Sequence, residues 1–178
     1  MTVAKFLLPL LFLPALIDRR YSLPMADRLR RLEWLFKRNP IYFVTTNTQD
    51  RAKILATPAV HKALQSFAES GPDHGVWLGA YVLMPDHVHA FVTLDDRKIT
   101  LSTWAKSLKN SLSKALRRSA FETPHWQKGF FDHVLRSAES YSEKWYYVRE
   151  NPVRAGLVSR WEDWPYVGEP HPLEYREL

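Results

Sequence analysis

Two histidines and a tyrosine carry the chemistry that this sequence can offer. The triplet His87-Val88-His89 matters only if its backbone is extended. In a strand alternate side chains point the same way, so His87 and His89 would share one face while Val88 entered the opposite layer. Two imidazoles one pleat apart can chelate a single metal ion. The rest of the run, Val88, Ala90, Phe91 and Val92, is apolar, and polar rings buried in such a strand need partners. The competing reading is a pair of surface histidines on an edge strand. With 7 His in 178 residues, a chance His-x-His arises in roughly one such chain in four, so the triplet alone does not choose between these readings.

The tyrosine belongs to the string Trp145-Tyr146-Tyr147-Val148-Arg149-Glu150-Asn151-Pro152. Tyr141, Trp145, Val148 and Pro152 recur with the helical period and define a core-facing stripe. Tyr147 falls about a quarter turn off that stripe, where a phenol can reach a groove. Asn151 lies one helical turn beyond Tyr147 on the same face, so a nucleophile and a polar contact to metal or phosphate could sit one above the other. Each residue also has a structural reading. A tyrosine here can pack with its hydroxyl at the surface, and Asn151 ahead of Pro152 can cap a short helix that Gly156 ends.

Several elements must position these groups. Ile41 to Thr46 is rich in β-branched and aromatic residues and reads as a first strand. Thr57-Pro58 supplies an N-cap and a first-turn proline for a helix over Val60, Leu64 and Phe67 that stops at Gly71-Pro72. Val76 to Leu83 and His87 to Leu94 read as a hairpin around Met84-Pro85-Asp86. From Thr100 to Arg118, Leu101, Trp104, Leu108, Leu112, Ala115 and Leu116 mark one helical face, while Lys106, Lys109, Ser113 and Arg117 mark another. Phe130 to Leu135 gives a fourth strand, followed by the tyrosine helix from about Glu139 to Asn151. The order βαββαβ with an extra helix is the ferredoxin-like α+β arrangement, an antiparallel sheet with helices packed on one side.

Composition bounds the partners. A chain of 178 residues suits one domain, here residues 25–170 with a tail over 171–178. The formal charge of +6 and pI near 9.6 suit a polyanionic partner. Lys106, Lys109, Lys114, Arg117 and Arg118 are the candidate phosphate contacts, and exposed aromatics could stack unpaired bases. Cysteine is absent, which excludes disulfides, thiolate metal sites and a cysteine nucleophile and favours the cytoplasm. The apolar run Phe6 to Ile17 has the length of a signal-peptide core but lacks a cleavage site and is too short to span a bilayer. No membrane partner is expected. The shift in composition at Met25 points to that residue as the true start, with 1–24 a non-native or disordered extension. Leu29, Leu32, Leu35 and Phe36 with Arg28, Arg30, Arg31, Lys37 and Arg38 then form a basic amphipathic segment, either a phosphate contact or a solvated face.

Three ordered motifs resemble a known family. Tyr81-Val82-Leu83-Met84-Pro85-Asp86-His87-Val88-His89, then Trp126-Gln127-Lys128-Gly129-Phe130-Phe131-Asp132-His133, then Tyr147 ahead of Asn151-Pro152-Val153-Arg154-Ala155-Gly156-Leu157-Val158 are similar to the REP-associated tyrosine transposases. These are a branch of the HUH single-tyrosine transposases, and the similarity runs from about Pro40 to Pro165. The resemblance implies His87 and His89 as metal ligands and Tyr147 as nucleophile. Tyr146 is the rival, and the family spacing of four residues before Asn-Pro favours Tyr147. It also implies Asn151 as a third ligand, Mg or Mn as the ion, and a 5′-phosphotyrosine intermediate. The expected substrate is single-stranded DNA at palindromic hairpins, handled by a monomer or homodimer. The alternative is a non-catalytic nucleic-acid-binding module on the same fold.

Overall fold

The computed structural model describes residues 40–135 and 138–173. The apolar run, the start assigned to Met25 and the basic amphipathic segment lie outside the described residues. The described chain runs β1 (Ile41–Asn47), α1 (Pro58–Glu69), β2 (Val76–Leu83), β3 (His87–Leu94), α2 (Leu101–Arg118), β4 (Phe131–Leu135), α3 (Ala138–Arg149), α4 (Asn151–Arg154) and β5 (Val167–Gly168). The strands form one antiparallel sheet in the order β4-β1-β3-β2-β5. The first four strands with α1 and α2 give the expected ferredoxin-like arrangement.

Local chemistry explains the helix boundaries. Thr57 Oγ1 accepts the backbone N–H of Val60 at 3.3 Å, and Pro58 occupies the first turn of α1, where its missing N–H costs nothing. Thr100 does the same for α2 by accepting from the N–H of Thr103 at 3.2 Å. The tyrosine helix ends earlier than its periodicity suggests. Pro152 has no N–H to bond back to Val148, so α3 stops at Arg149 and α4 restarts at Asn151, with the proline in its first turn where the missing N–H is tolerated.

The period of two in the strands sorts residues into two apolar layers. On one face Val44, Val88, Ala90 and Val92 pack with α1 and α2 through Leu64, Trp104, Leu108 and Leu112. On the other face Phe43, Val82 and Phe91 pack with Val148 of α3 and with Trp164 and Leu173 of the C-terminal segment. That segment approaches β2 closely at Gly79, where a Cβ would come within 2.6 Å of the Leu173 side chain. Only a glycine fits there without displacement. Each large apolar side chain buried in these layers contributes about 1.5 to 3 kcal/mol.

One sequence expectation is corrected by this packing. Ser113 does not belong to an open basic face. It is buried, accepts from Trp126 Nε1 at 2.9 Å and contacts His125 Nδ1 at 3.1 Å. The segment between α2 and β4 folds over that side of the helix, anchored at β1 by the Gln127 N–H donating to the Asn47 carbonyl at 3.0 Å. Lys109, expected among the phosphate contacts, is half-buried and donates to the carbonyls of Gln127, at 3.0 Å, and Gly129. Its ammonium is committed to holding that loop.

Candidate active site

β3 lies between β1 and β2, so the histidine pair is not on an edge strand. Register places His89 opposite Thr45 on one side and Val82 on the other, with His87 opposite Asn47. The two rings converge, with Nε2 of His87 and Nε2 of His89 3.1 Å apart and the rings nearly perpendicular at 80°. Their other nitrogens are each held from outside. Asp86 Oδ1 lies 2.6 Å from His87 Nδ1, and Thr45 Oγ1 lies 2.8 Å from His89 Nδ1. Phe43 stacks on the His89 ring at 5.4 Å.

This arrangement fits a shared cation. An ion between the two Nε2 lone pairs requires both rings to carry their proton on Nδ1. The Asp86 carboxylate can accept the first, and the Thr45 hydroxyl, which accepts as well as donates, can accept the second. The separation of the two nitrogens is also close to the roughly 3.0 Å edge of an octahedron built from bonds of about 2.1 Å. Among the described residues no group of three or more His, Cys, Asp or Glu could hold a metal, so the protein offers this imidazole pair.

Burial disfavours the protonated form of both rings, which favours free lone pairs on them. Burial lowers the His87 pKa from its usual value, and the bond and charge of Asp86 only partly oppose this. His89 is pushed down to about 3, first by burial and then by the charges of His87, Arg51, Arg154 and Lys144. The cations named there come from three separate elements and give the site a positive field suited to a phosphodiester. Arg51 Nε pairs with Asp86 Oδ2 at 2.9 Å, and its Nη1 donates to Asn47 Oδ1 at 2.5 Å. Asp50 and Arg51 both hold left-handed backbone, φ 51° and 55°, a conformation that costs non-glycine residues free energy and clusters at functional sites.

The expected core stripe of α3 is present. Val148 and Pro152 are buried, and Tyr141 and Trp145 meet the Phe91 ring at 4.7 and 6.2 Å. Lys144 Nζ lies 5.4 Å from the centre of the Phe43 ring that covers His89. Tyr147, one turn further along, is 63 % exposed, and Tyr146 is 58 % exposed. Different arginines accompany the two. Arg149 stacks on Tyr146 at 4.1 Å and on Trp161 at 4.8 Å. Arg154 stacks on Tyr147 at 4.1 Å and is one of the charges felt at His89.

Asn151 does not cap α4. The cap position is Glu150, and the Asn151 side-chain oxygen instead accepts from the Arg154 guanidinium. One lone pair of that oxygen is thereby occupied. Of the five basic residues expected to track DNA, Lys106, Lys114, Arg117 and Arg118 are exposed on α2, across the sheet from the imidazole pair. A groove of about 740 Å³ between α1 and α2 opens beside Lys114, with Lys98 also in its lining.

Sequence reasoning passed over Asp86, Thr45, Arg51, Lys144 and Arg154. Asp86 could have been found from its place beside His87. Thr45 and Arg51 required the strand register and the turn after β1.

Comparison with known proteins adds to this geometry. Residues 37–150 match the family model described as transposase, IS200 like. That span contains both histidines and Tyr147 and ends one residue before Asn151. A REP-associated tyrosine transposase of Escherichia coli is 26% identical over 125 residues, covering 70% of this chain and 73% of the relative. A Haemophilus influenzae protein provisionally given the same name is 25% identical over 141 residues, covering 74% and 80%. A solved structure of a REP-associated tyrosine transposase bound to a REP hairpin aligns with a TM-score of 0.57 at 25% identity, over 72% of this chain and 75% of that one.

Proposed function

Because the chain belongs to the IS200-like transposase family, we propose that it cuts single-stranded DNA beside palindromic hairpins and rejoins it through a covalent intermediate on Tyr147. The observation that carries the proposal is the pair of converging Nε2 atoms, 3.1 Å apart, on the sheet face against which the tyrosine helix packs. The structurally similar transposase was solved on a REP hairpin, and the basic balance here suits the same class of partner.

A phosphodiester resists attack because its anionic oxygens repel nucleophiles. In the cleavage step the Tyr147 oxygen bonds to phosphorus as the bond from phosphorus to the 3′ oxygen breaks. The phenolic proton leaves to water or a base and the departing 3′ oxygen gains one, giving a 5′-phosphotyrosine and a free 3′-hydroxyl. Attack by another 3′-hydroxyl reverses the exchange, so rejoining requires no nucleotide cofactor. A divalent ion, Mg²⁺ or Mn²⁺, when held by His87 and His89 supplies Lewis-acid polarisation of a non-bridging oxygen.

The chain's own residues orient and attract. Asp86 and Thr45 fix the ring protons on Nδ1. Arg51 and Lys144 draw the backbone phosphate toward the imidazoles, while Lys106, Lys114, Arg117 and Arg118 take the stem on the other side of the sheet. Asn151 anchors Arg154 through one lone pair of its side-chain oxygen and keeps the other for the metal-ligand role implied by resemblance.

The test is a denaturing gel for protein bound covalently to hairpin DNA carrying a single-stranded flank. Tyr147→Phe is expected to abolish the adduct and Tyr146→Phe to retain it. EDTA is expected to remove the adduct while leaving salt-dependent binding. Adduct from Tyr147→Phe would transfer the role to another residue, and binding with no adduct under any metal would favour the non-catalytic module.

A further inference from the structure

Among the described residues, no hydrogen bond reaches the Tyr147 hydroxyl, and the ring is largely open to solvent. An exposed two-torsion side chain samples several rotamers. One contact restrains it: the Arg154 guanidinium lies 4.1 Å from the ring centre. The same guanidinium donates to the backbone carbonyl of Tyr147 and to the side-chain oxygen of Asn151. Arg154 therefore joins the last turn of α3 to α4 across the break made by Pro152, and it does so with a planar fork that both stacks and donates.

We propose that Arg154 is the positioning residue for the nucleophile, holding the Tyr147 phenol against its guanidinium plane and being held itself by Asn151 and the Tyr147 carbonyl. This rests on the assignment of Tyr147 as nucleophile. Arg154 is exposed, so it contributes little to the core, and its two donated hydrogen bonds and its ring contact all converge on the segment that carries Tyr147. Of two adjacent exposed tyrosines, Tyr147 is thus stacked on a cation that bridges α3 and α4, and Tyr146 on one packed against Trp161.

The chemistry distinguishes this from a simple phosphate contact. A phosphate contact adds affinity for DNA; a positioning residue adds rate once DNA is bound. Lysine would keep the charge and lose the plane, so it is expected to preserve binding without restoring the aim of the ring.

The experiment measures single-turnover adduct formation at saturating hairpin DNA with Mg²⁺ or Mn²⁺, alongside the Kd of the same hairpin. Arg154→Ala is expected to slow adduct formation by about tenfold to a hundredfold, the scale of a misplaced reacting group, with Kd changed by less than about threefold. Arg154→Lys is expected to remain slow. Methylguanidinium added at constant ionic strength should recover part of the Arg154→Ala rate. Wild-type rate in Arg154→Ala, or a loss that vanishes at saturating DNA, overturns the proposal. Tyr147→Phe run in parallel separates the two levels: adduct persisting in that variant overturns the nucleophile assignment itself, whatever Arg154 does.

Discussion

Each imidazole of the pair is held through Nδ1 by a partner of different chemistry, a carboxylate for His87 and a hydroxyl for His89. Removing the carboxylate in Asp86→Ala should weaken Mn²⁺ binding by about tenfold to a hundredfold, the usual effect of losing an outer partner, as read by calorimetric titration; unchanged affinity would refute the role given to Asp86. The depressed pKa values make a second prediction. The unfolded chain takes up protons near pH 6.5 that the folded rings refuse, so stability falls as pH drops below that value, by at most about 1.4 kcal/mol per unit for each ring. Denaturant midpoints at pH 7 and pH 5 should show the loss, and replacing both histidines with Gln should flatten it. An unaltered slope in that double variant would mean that other groups set the pH dependence. The spacing of the pair was legible because a strand has period two. The partners Thr45 and Arg51 were not, since both depend on which strand lies alongside and how the chain turns after it.

At the level of elements, periodicity read well wherever it was long. β2 and β3 have the bounds expected from their apolar runs, and α2 buries the stripe of Trp104, Leu108, Leu112 and Leu116. Leu112→Ala should therefore cost about 2 to 5 kcal/mol in unfolding free energy; a loss under about 1 kcal/mol by denaturant titration, well below that range, would mean the helix is not seated as described. β5 escaped notice because a two-residue strand has no period to detect. The far side of α2 was misread for a related reason. A helical wheel says which residues share a face, but not that the chain after α2 folds back to cover Ser113 and engage Lys109.

At the scale of the whole molecule, basic groups lie on both sides of the sheet, and only some are free to exchange counterions. Replacing Lys114, Arg117 and Arg118 together with Gln should lower hairpin affinity and reduce the salt slope by about 0.7 to 0.9 for each phosphate that is no longer neutralised. Lys109→Gln should change that slope far less, because its ammonium already serves two carbonyls. Equal slopes for the two variants would contradict the division. Among the described residues no helix is long and apolar enough to cross a membrane. The most direct test of the tyrosine assignment is to digest the protein–DNA adduct with trypsin and sequence the nucleotide-bearing peptide by mass spectrometry. Cleavage after Lys144 and Arg149 releases Trp145 to Arg149, which contains both tyrosines, and fragmentation separates them. The nucleotide is expected on Tyr147; finding it on Tyr146, or on a peptide outside this helix, would contradict the assignment.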